Sequence, residues 1–186
     1  PGSAQDNQGN LYVQLDPTRL GLLRTAVQYV FDYPYGCLEQ RSARILPLVY
    51  FGEYLKVFDL DSKVADPKKV VQEELAYWAK SQLFDGGFPY WPGGLNSTVD
   101  VSIRIGEIVA QAKRHGIVVP ASLNVKRLAS FLKKQKAEMQ KRWSAASSPY
   151  YYSYINYVLS LMGETVEVKE LEEITKSKSA DIASLA

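Results

Sequence analysis

The sequence is poor in the residues on which many catalytic and metal sites depend. It contains one cysteine, Cys37, and one histidine, His115, among 186 residues. A single cysteine cannot form a disulfide within the chain, and the sequence has no cysteine–histidine spacing typical of a zinc site. We therefore expect neither a metal nor a cofactor.

The sequence also lacks a strong charge excess and any long apolar run. Its 22 lysines and arginines nearly balance 20 aspartates and glutamates, which argues against nucleic acid as a partner. No apolar run approaches the roughly 18–20 residues that span a membrane, and no signal peptide is evident. The opening residues 1–3, PGS, are typical of an expression-tag remainder, so we expect a piece of a longer protein.

Amphipathic helical patterns occupy most of the remaining chain. We assign residues 4–16 to an extended lead-in and residues 17–186 to one domain. Short connections between the patterns favour antiparallel helix pairs and predict an all-α fold. Helices are expected over residues 17 to about 33, 37–58, 66–83, 97–115, 120–147, 149–162 and 166–176, with another starting at 179.

Polar residues and glycines mark the ends of these helices. Asp16 and Asp66 each precede a proline, which predicts a capped helix start. Ser97 or Thr98 is expected to cap the fourth helix, and Gly116 and Gly163 to end the fourth and sixth. A stretch rich in glycine and proline, residues 85–96, interrupts the helices before the fourth one.

The first motif with chemical content is YPYGCLEQ, residues 33–40. Cys37 and Gln40 are three apart, so a helical turn would place their side chains on one face. Gly36 would allow a tight bend, and the helix N-terminus would favour the nucleophilic thiolate. Attack of the sulfur on the Gln40 side-chain carbonyl would expel ammonia and form an internal thioester, which is a good acyl donor.

Other interpretations of Cys37 remain open on these residues alone. The thiol is equally compatible with a buried side chain at a turn, in an inert helical module. A cysteine hydrolase would pair Cys37 with His115, although no nearby Asn/Asp pattern supports this. A cyclase-like enzyme would need a metal-binding aspartate cluster, for which Asp59 and Asp61 are the only candidates.

Two segments resemble the thioester domain of α2-macroglobulin-like proteins, particularly bacterial ones. The octapeptide resembles the family's thioester signature, and Ser42, Arg44 and residues 46–48 (LPL) continue the likeness. The segment QLFDGGF, residues 82–88, followed by Tyr90 and Trp91, resembles a second loop of that domain. The likeness runs from about residue 11 to 162.

The resemblance implies a domain built as an α/α toroid of helix pairs, of which this chain would supply about half. It implies an endopeptidase inhibitor rather than an enzyme. A protease cuts a bait region elsewhere in the parent, and one of its lysines then attacks the acyl group of residue 40. The implied reactive residues are Cys37 and Gln40, supported by Tyr33, Pro34, Tyr35, Gly36, Leu38 and Glu39.

The resemblance also implies an aromatic cover that keeps water from the thioester. Tyr33, Tyr35, Tyr90 and Trp91 are the main candidates, followed by Tyr150, Tyr151 and Tyr152. In half a toroid we expect the bond to be hydrolysed or never formed, and the uncovered apolar flank to favour self-association. Other domains of the parent are implied partners, at a periplasmic or extracellular site, possibly with a lipid anchor on the parent.

The sequence departs from the family pattern in two places. Complement members that prefer hydroxyl acceptors carry a histidine in the second loop, whereas residues 89–96 contain none. Lysine is therefore the implied acceptor. In the following helix Asp100 and Arg104 replace the usual apolar residues, and an intrahelical ion pair at four-residue spacing is the simplest interpretation.

Overall fold

The computed structural model describes residues 19–142 and 149–176. The helices are α1 (Arg24–Asp32), α2 (Leu38–Phe51), α3 (Pro67–Ala79), α4 (Val99–Arg114), α5 (Val125–Gln140), α6 (Pro149–Leu161) and α7 (Val168–Lys176). Short 3-10 segments cover Leu20–Leu23 and Gly52–Phe58. The tag remainder, the lead-in over 4–16, most of the predicted end of the fifth helix and the helix predicted from 179 lie outside the described residues.

The expectation of an all-α fold is confirmed, with one small addition. Two-residue strands β1 (Phe88–Pro89) and β2 (Ser97–Thr98) pair antiparallel, with Phe88 opposite Thr98. They close the glycine- and proline-rich loop, and no sequence pattern predicted them. In the described part of the chain, no helix is long and apolar enough to cross a membrane.

Helix α4 lies at the centre of the molecule, between α2 on one side and α6 on the other. It also contacts α5, while α1 and α3 pack against α2. Most of α4 is buried, including Ile103, Ile105, Ile108 and Ala112 at 0% exposure. A helix buried over most of its surface needs other helices packed around it, and this arrangement provides them.

The second helix is shorter than predicted. It begins after Cys37 as expected, but regular α-helix ends at Phe51, and a 3-10 segment follows in place of the predicted continuation to residue 58. Gly52 packs closely there, since a Cβ added to it would lie 3.3 Å from Pro67. Helical spacing predicts an apolar face of Ile45, Leu48, Val49, Leu55 and either Tyr54 or Phe51. The first four are buried, Phe51 is partly buried against the core, and Tyr54 is 53% exposed.

Helix ends were predicted correctly where a capping residue or a glycine lies at the end itself. Asp66 caps α3, because its Oδ1 accepts the Lys69 backbone N–H at 3.0 Å. Gly116 and Gly163 follow α4 and α6 with φ of 68° and 84°. Such backbone angles strain residues other than glycine, so these two helix ends are encoded in the sequence.

One predicted helix start, that of α5, was wrong, while that of α4 was confirmed in position, because Thr98 is its N-cap residue. Neither Ser97 nor Thr98 caps α4 with its side chain, and the Ser97 hydroxyl instead donates to Asp85. Helix α5 begins at Val125 rather than 120, because Asn124 accepts the Arg127 N–H and forms the cap. In the first helix the described part is 3-10 helix before α1 begins at residue 24.

The apolar face that helical spacing predicts for the first helix is only partly buried; it comprises Leu20, Leu23, Ala26, Val27 and Val30. Val27 has 9% exposure and lies in the core, together with Phe31, which was not on the predicted face. Leu23 is 46% exposed, and Ala26 also faces solvent. The switch from 3-10 to α geometry rotates the face between these positions, so one helical period does not fit the whole segment.

Candidate functional site

Cys37 is the N-cap residue of α2 rather than its first helical residue. Its backbone is extended, with φ −66° and ψ 154°, and its side chain has 0% exposure. The Gln40 backbone N–H donates to the Cys37 sulfur at 3.4 Å. The thiol therefore occupies the place of the usual Ser, Thr or Asp side chain at a helix start.

This cap explains how residues 37 and 40 come close. In a capping box the N-cap side chain contacts the N3 backbone, and a glutamine at N3 folds back toward the N-cap. Here the first half of that arrangement is present, with Cys37 at the N-cap and Gln40 at N3. The Gln40 Oε1 is buried but has no hydrogen-bond partner among the described residues, so the reciprocal bond that satisfies the glutamine oxygen in a capping box is missing.

The second motif is a loop whose turn is fixed by its own side chains. Asp85 Oδ1 accepts the Gly87 N–H at 3.0 Å and the Ser97 hydroxyl at 2.7 Å. Gly86 has φ of 94°, and a Cβ there would lie 2.3 Å from the Arg127 carbonyl oxygen. Only glycine fits both the angle and the close approach, so the Asp-Gly-Gly sequence serves the geometry of this turn.

Gln82 ties this loop to the start of α5. Its Nε2 donates to the Gly86 carbonyl at 2.9 Å and to the Asn124 carbonyl at 3.1 Å. Its Oε1 accepts the Asn124 N–H at 2.8 Å. One amide group thus links three backbone groups, which explains a glutamine at the start of the motif and was not foreseen from the sequence.

The loop brings the two motifs together. The Phe88 N–H donates to the Ser102 hydroxyl at 2.9 Å, which fixes β1 against α4. Two residues later, the Tyr90 carbonyl accepts the Leu38 N–H at 2.8 Å. Leu38 is the first residue of α2, so the second loop contacts the chain immediately beside Cys37.

Tyr90 and Trp91, two of the predicted cover residues, lie at this contact. A hydrogen bond with the Cys37 side chain is the largest of the causes that raise the pKa of the Tyr90 phenol. Trp91 packs edge-on against Tyr90, with 6.0 Å between ring centroids. Their exposures of 43% and 54% show that these rings border the thiol without being enclosed themselves.

Tyr33 and Tyr35 continue the aromatic border before α2. The Tyr33 ring lies 5.5 Å from Tyr29 and 5.3 Å from Tyr35 between centroids. Partial desolvation, followed by the two neighbouring phenols, raises the pKa of Tyr33. Gln40 lines an open pocket of about 270 Å³ together with Tyr29, Val30, Tyr33, Glu39 and Ala43.

The remaining motif residues have different environments. Leu38 has 0% exposure and belongs to the core, while Pro34 and Gly36 face solvent. The prediction that Gly36 allows a tight bend was wrong, because its φ is not positive and a Cβ would meet nothing within 4 Å. Other residues could adopt this backbone, so the bend does not explain the glycine.

The intrahelical pair expected between Asp100 and Arg104 was also wrong. Arg104 Nη1 lies 3.6 Å from Oε1 of Glu39, within the first motif. Asp100 instead accepts a hydrogen bond from Tyr151, which raises the pKa of that phenol. Both side chains are drawn to neighbouring helices because α4 is packed between α2 and α6.

His115 lies far along α4 from the thiol. Arg104, near the start of α4, contacts the Cys37 segment, and His115 follows eleven residues later at roughly 16 Å further along the helix. It is the exposed C-cap residue. This separation leaves no way for the imidazole to reach the sulfur, which argues against the hydrolase interpretation.

The aspartate pair considered for a toroid enzyme does not form a metal site. Asp59 makes an ion pair with Arg24. Over residues 19–142 and 149–176, no group of three or more His, Cys, Asp or Glu side chains is placed to hold a metal ion.

The tyrosines at the start of α6 divide between the surface and the core. Tyr152 has 0% exposure and packs with Met139 and Leu171, so it is a core residue. Tyr150 is 42% exposed and lines a pocket of about 440 Å³ that also contains Arg104. As candidates for covering the thiol they are weaker than Tyr90, which contacts it.

A polar cluster between α2, α4 and α6 was missed entirely in the sequence. Glu107 is 7% exposed and accepts hydrogen bonds from Tyr50, at 2.6 Å, and from Tyr154. Gln111 donates to Tyr50 at 3.0 Å and to Tyr157 at 3.3 Å. The available signal was a glutamate within the apolar run IGEIVA, since a buried carboxylate requires partners.

Comparisons with known proteins agree with the fold. No protein-family model and no curated protein matches the sequence. A crystal structure of native Escherichia coli α2-macroglobulin, from domain MG7 to the C-terminus, matches 81% of the chain with 20% identity and a TM-score of 0.61. A cryo-EM reconstruction of the native E. coli protein matches 84% with 18% identity and a TM-score of 0.64.

These matches show a shared fold between the chain and part of a bacterial α2-macroglobulin. The chain spans 24% of the first protein's length in that structure and 10% of the second's.

Proposed function

We propose that the chain is the thioester-bearing part of an α2-macroglobulin-like protease inhibitor, with the bond formed between Cys37 and Gln40. One observation carries the proposal. The Cys37 sulfur caps the turn that contains Gln40, at 3.4 Å from its backbone nitrogen, while the Gln40 side-chain oxygen is buried without a partner in residues 19–142 and 149–176.

The unpartnered oxygen favours a thioester over the original amide. A buried amide oxygen that lacks a donor costs about 1–3 kcal/mol. A thioester carbonyl is a weaker hydrogen-bond acceptor than an amide, so the same environment penalises it less. Loss of ammonia during bond formation therefore relieves part of a cost that the folded chain otherwise carries at Gln40.

The proposed function is a single acyl transfer rather than enzymatic turnover. A protease lysine takes the acyl group of residue 40, and Cys37 is released as a thiol. Support comes from the fold shared with E. coli α2-macroglobulin and from the contact between Tyr90 and the Cys37 segment. We also propose that the chain is part of an α/α toroid, in a parent located in the periplasm or outside the cell.

Intact-mass measurement of the full-length parent protein tests this proposal. A formed thioester lowers the mass by one ammonia, and methylamine then adds to the protein while one thiol becomes titratable. The Cys37→Ala variant should show neither change, whereas Glu53→Gln, an exposed site in the segment after α2, should behave as the wild type. If the mass equals that of the unmodified chain and methylamine does not change it, no thioester forms and Cys37 is only a buried helix cap.

A further inference from the structure

The pocket beside Gln40 has the composition of a site for an organic cation. Its volume of about 270 Å³ is sufficient for an alkylammonium side chain. Its lining residues include two aromatic ones, Tyr29 and Tyr33, the apolar Val30 and Ala43, and the acidic Glu39. Aromatic faces and a carboxylate around an apolar channel are the groups that recognise ammonium ions.

The carboxylate is held in a defined place. Oε1 of Glu39 lies 3.6 Å from Arg104 Nη1, and both side chains are about one-third exposed, at 34% and 30%. Arg104 extends from α4, the most buried helix, so the contact ties the first turn of α2 to the core. It also offsets part of the carboxylate's charge, so the pocket must bind cations weakly and select them mainly by shape and aromatic contact.

Gln40, whose side chain would supply the acyl carbon of the proposed thioester, is also a lining residue of the pocket. Glu39 and Gln40 are consecutive residues, and both line it. We propose that this pocket is the subsite for the attacking lysine side chain, and that Glu39 is the catalytic residue that accepts the lysine proton during acyl transfer. The inference rests on the proposed function, because it assigns a role at the same site.

The proposed transfer conserves atoms and protons. The lysine enters as an ammonium ion, loses one proton to water, and its nitrogen attacks the acyl carbon of residue 40. The nitrogen becomes positively charged and acidic in this adduct, so it gives a proton to the Glu39 carboxylate. The carbon–sulfur bond then breaks, its electron pair stays on Cys37, and the sulfur takes the proton from Glu39. The products are an amide and a thiol.

This arrangement favours amines over hydroxyl acceptors for a physical reason. A neutral alcohol gains nothing from a carboxylate and aromatic faces on entry, and it needs a base before it attacks. The described loop between residues 85 and 96 has no histidine to serve as that base. An amine attacks unaided and needs a proton acceptor only after the carbon–nitrogen bond has begun to form, which is the step assigned to Glu39.

Aminolysis kinetics on the full-length parent test the catalytic role. The probes are N-acetyl-lysine-methylamide, which fills the pocket, and water, which does not. Glu39→Gln should slow the reaction with the lysine analogue about tenfold, as expected for loss of a charge-assisted contact, and change hydrolysis less than about twofold. Glu53→Gln is the matched control and should match the wild type. Equal slowing of both reactions, or no slowing, would overturn the inference.

A binding measurement keeps the inference testable even if no thioester forms. In the 186-residue chain, ring-carbon NMR signals of Tyr29 and Tyr33, assigned with Tyr→Phe variants, are followed during titration. N-acetyl-lysine-methylamide should shift them, while its uncharged norleucine counterpart should shift them much less, and Glu39→Gln should remove the difference. Identical responses to the two probes would refute the subsite. A missing thioester in the parent would refute the proposed function instead.

Discussion

Helix α2 carries a polar side chain near each end, and the two differ in whether their hydrogen bonds are satisfied. Near its C-terminal end, Tyr50 donates to Glu107 and accepts from Gln111. At its first turn, the Gln40 side-chain oxygen is buried with no partner in the described chain. Satisfied polar groups fix helices to one another, whereas an unsatisfied one keeps free energy in the folded state that a chemical change can release.

The electrostatics of the two regions differ in the same way. Burial, followed by the hydrogen bond to Glu107, raises the pKa of both Tyr50 and Tyr154. These phenols therefore stay protonated and continue to donate over the whole ordinary pH range. At the other end the donors face the sulfur, from the Gln40 backbone and from Tyr90, while the amide oxygen has none. The first region stabilises the fold, and the second is suited to reaction.

The largest stability effect should come from removing the carboxylate of the tyrosine cluster. Glu107→Ala leaves the partly buried hydroxyls of Tyr50 and Tyr154 without this acceptor, so we expect a loss of roughly 2–4 kcal/mol. Urea unfolding measures it, with Glu53→Ala as the control. A loss below that of the control would mean that the cluster contributes nothing to holding the three helices together.

A smaller and pH-dependent effect is expected from Tyr154→Phe. Burial, followed by the hydrogen bond to Glu107, raises the pKa of this phenol in the folded state above its ordinary value of 10.0. Its contribution to stability is therefore complete below about pH 10 and is lost as the pH rises further, because the unfolded state releases its proton first. Unfolding measured across alkaline pH should show a shallower decline in the variant, and parallel profiles would contradict the assignment.

The ion pair between the two regions should have a still smaller effect. Because both side chains are partly exposed, Arg104→Met should cost about 0.2–1 kcal/mol. In a Glu39→Gln background the same substitution should cost nothing further. This double-mutant cycle isolates the pair, and an equal cost in both backgrounds would assign the effect of Arg104 to packing in its own pocket.

The smallest effect, and the most informative for the comparison, is expected at Gln40. Gln40→Met keeps the shape of the side chain but removes the unpartnered oxygen. The variant should lie within about 0.5 kcal/mol of the wild type or be more stable, in contrast to Glu107→Ala. A loss of stability as large as that at Glu107 would show that the Gln40 amide has partners. The unpartnered oxygen would then no longer favour thioester formation at the first turn.

The sequence by itself determined the features that depend on neighbouring residues. The all-α fold, the Asp66 cap, the ends of α4 and α6, and the irregular loop over 85–96 follow from capping preferences, glycine backbone angles and apolar spacing. These signals act within a few residues, so they can be interpreted without a structure. Cys37 and Gln40 were also identified from a local pattern, the motif at residues 33–40. Their reactivity stays a prediction.

Only the tertiary structure decided which distant groups meet. It placed Tyr90 beside Cys37, paired Arg104 with Glu39 instead of Asp100, and brought the partners of Glu107 from two other helices. It also ended α2 at Phe51, where packing against the next helix outweighs local helical spacing. Such contacts join residues about fifty or more positions apart. Their geometry depends on how whole helices pack, and no local pattern encodes that packing.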